Sequence, residues 1–406
     1  MNPHGDRAAR TKLLACLTLA GSVLAACGGG STGEARDSSQ PPGPSEQTPA
    51  TPADNAQPGG AAALAQWAGK PPRLLVGLGS NSSLASIRAQ NLAPDIYNAY
   101  LVGVGAGSWV DWNSPAGQYV VVHAANARSV GAIPMFTLYQ MASNGDGNLS
   151  GLNQNAFMTA YWDNVRLMFR KIAESATPSF VVLEPDFWGY AQQQAPAGDP
   201  SQLSAMVASA NPDCDQLPDN VIGVAQCLLR MRDLHAPQHA KLGFMPSAWA
   251  AATSTDVATF MKTIGADKAD FTAIETLDRD AGCFEVQPRP AECNRGSTSG
   301  WYWDASAYQA HLATVHTYRS ALGLPLIWWQ TPMGVPSSTA GGSPNRYRDN
   351  RMQFFLTGQG PADLVSAGAV GVVFSQGHAS QTGIDSDGGQ YQRLSTQYLN
   401  HPAALP

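Results

Sequence analysis

Residues 179–190 read SFVVLEPDFWGY. The run Phe180-Val181-Val182-Leu183 has the length and β-branched character of a buried strand. It then meets Glu184, Pro185 and Asp186, with Phe187 and Trp188 behind them. An unpartnered buried carboxylate costs several kcal/mol. A core strand that closes on two acids therefore marks its own end as a place where acids are useful. Seven similar runs surround it: RLLVGLGS (73–80), DIYNAYLVGV (95–104), AIPMFTLYQM (132–141), KLGFMPSAW (241–249), DFTAIETLD (270–278), LPLIWWQTP (324–332) and AVGVVFSQG (369–377). Helical spacing fills the gaps, as in Phe157, Tyr161, Val165, Met168 and Ile172. Val224, Leu228, Met231 and Leu234 form another such stripe, and Val257, Phe260, Met261 and Ile264 a third. Eight strand–helix units predict an α/β fold, a single (β/α)8 TIM-type barrel; an open doubly wound sheet is the alternative.

Barrel strands aim their C-terminal ends at the active face. On the fourth strand, period two puts Phe180, Val182, Glu184 and Asp186 on one side, inward. Polar and aromatic residues gather at the same end of other strands: Tyr139-Gln140, Trp249, Glu275 with Asp278-Arg279-Asp280, Trp328-Trp329-Gln330, and Gln376-Gly377-His378. Strand starts are nearly free of them. Cleaving a glycosidic bond needs one carboxylic acid and one carboxylate, and indoles stack on sugar rings. The expected catalytic residues are Glu184 and Glu275, with Asp186 tuning Glu184 or serving as the acid itself, and Asp278 a further candidate. Expected substrate contacts are Tyr139, Gln140, Trp188, Trp249, Trp301, Trp303, Trp328, Gln330, Gln376 and His378. Plain structural readings stand beside these. Glu184 could pair with Arg279, Asp186 could cap a helix, Asp278–Asp280 could be surface ion pairs, and one of Trp328 and Trp329 must face the helices.

The stretch VVLEPD (181–186) resembles the strand motif of family-six cellobiohydrolases, in which Glu-Pro-Asp also follows apolar residues. The likeness spans six residues and implies a carbohydrate-cleaving barrel. The Asn-Glu-Pro signature of the large retaining glycosidase clan is missing, since Leu183 precedes Glu184. Strand seven ends in Gln330 where that clan carries a nucleophilic Glu. The expected function is an exported glycoside hydrolase acting on a polysaccharide or oligosaccharide. A non-catalytic glycan-binding barrel and a metal-assisted hydrolase using Asp186, Glu275 and His378 are the alternatives.

The N-terminus reads as a targeting segment. Basic Arg7, Arg10 and Lys12 precede a short apolar stretch ending Leu24-Ala25-Ala26-Cys27. This resembles the bacterial lipoprotein signal, which implies acylation of Cys27, export and a membrane anchor. Gly28 after the cysteine points to the outer membrane or cell surface. The expected organisation is a signal over 1–27, a Gly/Pro/Ser-rich tether over 28–66 and a barrel over 67–406. With Cys16 assigned to the signal and Cys27 to the lipid, Cys214, Cys227, Cys283 and Cys293 are expected to form two local disulfides, Cys214–Cys227 and Cys283–Cys293; no CxxC spacing supports zinc. No cofactor is expected. Asp385-Ser386-Asp387-Gly388-Gly389 resembles a calcium loop but lacks the closing Glu. The net charge of −6 and the want of a Lys/Arg stripe argue against nucleic acid. A monomer is expected. The arginines of NRYRDNRMQFFL (345–356) are expected to solvate a helix face.

Overall fold

The computed structural model describes residues 60–79, 81–294, 299–340 and 342–406. The signal segment, Cys27 and most of the expected tether lie outside the described residues. Eight parallel strands close into a barrel in sequence order: β1 (Leu75–Gly79), β2 (Ile96–Val102), β3 (Ile133–Tyr139), β4 (Ser179–Leu183), β5 (Ala240–Phe244), β6 (Phe271–Ile274), β7 (Leu326–Thr331) and β8 (Ala369–Phe374), with β8 pairing back to β1. Each apolar run read from the sequence carries one strand. Around them pack α1 (Ala61–Trp67), α2 (Leu84–Ala89), α3 (Gln118–Ser129), α4 (Asn155–Ser175), α5 (Phe187–Gln194), α6 (Val221–His235), α7 (Ser254–Thr263), α8 (Ala305–Leu322), α9 (Arg351–Leu356), α10 (Gly360–Ala367) and α11 (Gln390–Asn400).

Strand alternation divides the core in two. Val181 and Leu183 of β4 join the layer between sheet and helices, while Phe180 and Val182 point into the barrel with Met135, Phe271, Ala273, Ile327 and Trp329. Gly243 makes room for this interior, because a Cβ there would lie 2.2 Å from the Phe271 ring. Phe180 and Phe271 meet edge to face at 5.7 Å, a favoured aromatic geometry. The helical stripes also hold: Tyr161, Val165, Met168 and Ile172 of α4 are fully buried. Leu234 departs from its expected stripe and is 56% exposed, near the end of α6.

The barrel floor revises the expected domain start. Residues 61–66, read as tether, are helical, and Ala61, Leu64 and Ala65 pack with Leu405 beneath the strands. Trp67 lies 6.0 Å from Phe180. The segment is too short to show a helical period, and it is ordered by the apolar opening that it covers.

Loops above the strands are pinned rather than loose. The disulfides Cys214–Cys227 and Cys283–Cys293 form as expected, with Cα separations of 5.4 and 6.0 Å. Buried Asp280 accepts from Gly334 N–H at 3.1 Å and Thr382 N–H at 2.8 Å, so it joins the loops after β6, β7 and β8. Arg351 does not solvate a helix face. It is 4% exposed and donates to Asp349 at 2.7 Å and to the Trp301 carbonyl at 3.0 Å. The calcium-like stretch is a helix start: Asp387 accepts from Gly389 and Tyr391 N–H, both at 2.7 Å, at the head of α11.

Candidate active site

The site begins inside the barrel. Inward positions on β2 and β3 carry Asn98, Tyr100, Thr137 and Tyr139 above the apolar layers. Trp329 donates to the Thr137 hydroxyl at 2.8 Å, and Thr137 donates to Asn98 Oδ1 at 2.9 Å, so the middle layer is polar, with Asn98 Nδ2 left without a partner. Above it the Tyr100 hydroxyl donates to Gln330 Oε1. Burial, then the charges of Asp186 and Asp278, push this phenol well above its usual range, while Arg279 opposes them. Carboxylates from two sides of the mouth therefore converge on one hydroxyl.

Tyr139 sits between two further carboxylates. Its hydroxyl lies 2.9 Å from Asp146 Oδ1 and 2.9 Å from Asp186 Oδ2. A phenol has one proton and donates to one acceptor at a time. The second contact is a hydrogen bond only when that carboxyl brings a proton of its own. Burial, then the charges of Asp186 and Asp146, push this phenol well above its usual range. Asp146 and Asp186 border a small cleft that Pro185 and Tyr190 also line.

Backbone strain produces this geometry. Three non-glycine residues at the ends of β4 and β7 have left-handed φ: Glu184 at 46°, Asp186 at 67° and Gln330 at 48°. Such residues cost about 1–3 kcal/mol each and cluster at functional sites. The left-handed turn also reverses the expectation for Glu184. Its carboxylate is fully buried, away from the mouth, and its Oε2 accepts from Gln140 N–H at 2.9 Å and Met141 N–H at 3.0 Å. Its Oε1 has no well-formed hydrogen bond; the Tyr161 hydroxyl of α4 is the polar group beside it. Burial raises its pKa to about 8 against the opposing pull of those amides and Tyr161.

Glu275 follows β6 and is half-buried. Its charge acts on the Tyr318 phenol of α8, in the layer between sheet and helices. The expected Glu184–Glu275 pair is therefore not assembled in one cleft. Among the described residues no three His, Cys, Asp or Glu side chains gather as a metal site requires, so Asp186, Glu275 and His378 do not form one. His378 instead contacts the Ser380 hydroxyl at 2.9 Å.

Asp278 is at the mouth, 2.6 Å from Arg279. Gly377 presses on it from the β8 loop: a Cβ there would lie 1.9 Å from the Asp278 carbonyl and 2.3 Å from Gln330 Nε2. Asp278, Gln330 and Tyr100 thus adjoin one another. Gln376 donates to the Gln381 carbonyl. At the other flank Trp249 is 40% exposed and lies 4.7 Å from Tyr190, an aromatic pair open to solvent.

Several expected substrate contacts are structural. Trp328 is fully buried and donates to His311 at 2.9 Å, because β7 turns Trp329 inward and Trp328 outward. Trp188 is 1% exposed, donates to the Leu183 carbonyl at 2.8 Å and packs on Phe244. Gln140 is fully buried and its Oε1 accepts from Trp109 at 3.0 Å and Asn164 at 2.7 Å. Trp303 packs on Tyr308, His311, Phe354 and Phe355 and anchors its loop to α8 and α9. Trp301 stacks on Phe284 at 3.8 Å. The sequence reading missed Tyr100, Asp146 and Tyr190. Counting by twos from Ile96 would have found Tyr100; Asp146 sits in a Gly/Asn-rich turn that gives no such signal.

No protein-family profile matches the chain, and no curated protein sequence matches it. Solved structures do resemble it. A modular endo-beta-1,4-mannanase from Cellulomonas fimi is 11% identical, over 84% of this chain and 73% of that one, with a TM-score of 0.47. The endoglucanase Cel6 from Mycobacterium tuberculosis is 13% identical, over 68% and 71%, with a TM-score of 0.32. A D-psicose 3-epimerase from Clostridium cellulolyticum H10 is 10% identical, over 80% and 92%, with a TM-score of 0.39. Likeness at this level concerns the fold alone, and one fold hosts many chemistries.

Proposed function

We propose that the protein is a glycoside hydrolase of neutral polysaccharides, with Asp186 as general acid and Asp278 as the second carboxylate. The observation that carries this reading is the Tyr139 hydroxyl held between Asp146 and Asp186 at the barrel mouth. In the reaction the proton held at Asp186 passes to the glycosidic oxygen as the bond to the anomeric carbon breaks. Positive charge develops at that carbon and faces the Asp278 carboxylate, which takes a proton from the incoming water as the water oxygen bonds to the anomeric carbon. Tyr139 and Asp146 steady the proton before transfer. Asp146, Asp186 and Asp278 against Arg279 leave the mouth negative, which disfavours an acidic polymer. The open Trp249–Tyr190 pair offers a stacking face for a further sugar unit.

The test is release of reducing ends from a panel of neutral polysaccharides. Asp186→Asn should abolish it, and a dinitrophenyl glycoside, whose leaving group needs no proton, should restore cleavage by that variant. Full polymer turnover by Asp186→Asn would remove the role given to this residue. A second reading, a non-catalytic glycan binder, draws support from the close Asp278–Arg279 ion pair, which competes with a base role. Binding without reducing ends across the panel would favour it. We also propose export and lipid anchoring at Cys27, supported by the basic start, apolar stretch and Leu-Ala-Ala-Cys box. Cys27→Ala should then abolish palmitate labelling and free the protein from membranes.

A further inference from the structure

A groove lies on the outer wall of the barrel, between the first turn of α8 and the corner joining α9 to α10. It encloses about 320 Å³ and shares no lining residue with the mouth cleft. Its floor is aromatic: Tyr308 and Phe354 lie 5.1 Å apart at 45°. Its rim carries Gln309, Gln359 and Asp363, and no Lys or Arg lines it. Tyr308 is 4% exposed, yet its hydroxyl has no hydrogen-bond partner in the protein. Burying a hydroxyl unpaired costs about 1–3 kcal/mol, and a phenylalanine would fill the same space without that cost. The hydroxyl feels the Asp363 carboxylate, which lines the same groove from α10. A donor without an acceptor, a carboxylate lining the same groove and an apolar floor describe a site awaiting a ligand.

We infer that this groove is a second carbohydrate-binding site, in which a neutral pyranose unit lies on Phe354 while one of its hydroxyls bridges the Tyr308 hydroxyl and the Asp363 carboxylate. The choice of a sugar over other neutral ligands rests on the glycan-active reading of the mouth; the groove itself rests on its own residues. Amides and a carboxylate at the rim match sugar hydroxyls. Lack of a cation, with Asp363 present, excludes phosphate, sulfate and uronate groups. Such a site keeps a polymer attached to the barrel while the mouth acts on it.

The test uses the chain with two added substitutions, made separately. Ala305→Trp, at an exposed position on the groove wall, fills the space without touching the core. Tyr308→Phe removes only the unpaired hydroxyl. The probes are gluco-, manno- and xylo-hexasaccharides with β-1,4 linkages, titrated calorimetrically, and the matching insoluble polymers in pull-down. Ala305→Trp should abolish groove binding and polymer retention, and Tyr308→Phe should weaken groove affinity about five-fold, the worth of one hydrogen bond. Both should turn over soluble hexasaccharides like the parent chain. Polymer retention unchanged in both variants overturns the inference, as does failure of every probe to bind at the groove. Groove binding that persists without any turnover would refute the hydrolase reading alone.

Discussion

Replacing Glu184 by glutamine separates the two carboxylates of the Glu-Pro-Asp turn. Glu184 is buried, and its pKa rises from 4.5 to about 8. Between those values the unfolded chain has released this proton and the folded chain keeps it. Stability therefore falls as pH rises through the window, by about 1.4 kcal/mol per pH unit, or about 5 kcal/mol across it. Below pH 4.5 both states are protonated and the contribution vanishes. Glutamine is neutral throughout. Its Oε1 can accept from Gln140 and Met141 as Glu184 Oε2 does now, and its amide faces Tyr161. Urea unfolding midpoints at pH 5, 6.5 and 8.5 should show a gap that opens with pH in favour of Glu184→Gln. Asp280, also raised by burial and by Asp349, to about 7, is common to both proteins and cancels. Reducing-end release by Glu184→Gln should match the parent at pH 6. A stability gap independent of pH would refute the assignment of a buried, proton-retaining carboxyl. Abolished turnover in a folded Glu184→Gln protein would return the catalytic role to this residue.

Further outcomes follow from the same geometry. Gly377→Ala should displace Asp278 and Gln330 and cost about 1–3 kcal/mol, read as a large loss of turnover with a lowered unfolding midpoint. Trp328→Ala should cost about 3–5 kcal/mol while any sugar affinity of the folded fraction stays intact. Trp249→Ala should do the reverse, weakening polysaccharide binding measured by titration with little change in stability, because the indole is 40% exposed. Replacing both Cys283 and Cys293 by alanine should lower stability by about 2.5 kcal/mol, from the ten-residue separation that the bridge closes, measured by urea unfolding.

The fold was legible because each strand ends on a chemical change, from β-branched apolar residues to polar or turn residues. Four cysteines spaced in two local pairs were equally readable. The mouth was legible only in part. Asp186, Asp278, Tyr139, Gln330 and Trp249 lie around it, as their places after strands suggested. Glu184 failed for a definite reason: counting by twos assumes that extended backbone continues, and β4 stops at Leu183. A left-handed glutamate carries no sequence signal, unlike a glycine or asparagine. Trp188, Trp328 and Gln140 failed because residue type does not distinguish an indole or amide that binds a ligand from one that satisfies its own core. Only partners decide that, and here they are the Leu183 carbonyl, His311, Trp109 and Asn164.

Helix α1 and Leu405 meet under the barrel, and Leu405 N–H donates to the Pro72 carbonyl at 2.9 Å. Both ends of the described chain therefore depart from the side opposite Asp186 and Asp278. A support grafted to either end holds the molecule by its base, with its open face turned outward. Long or insoluble material then reaches that face without passing the point of attachment.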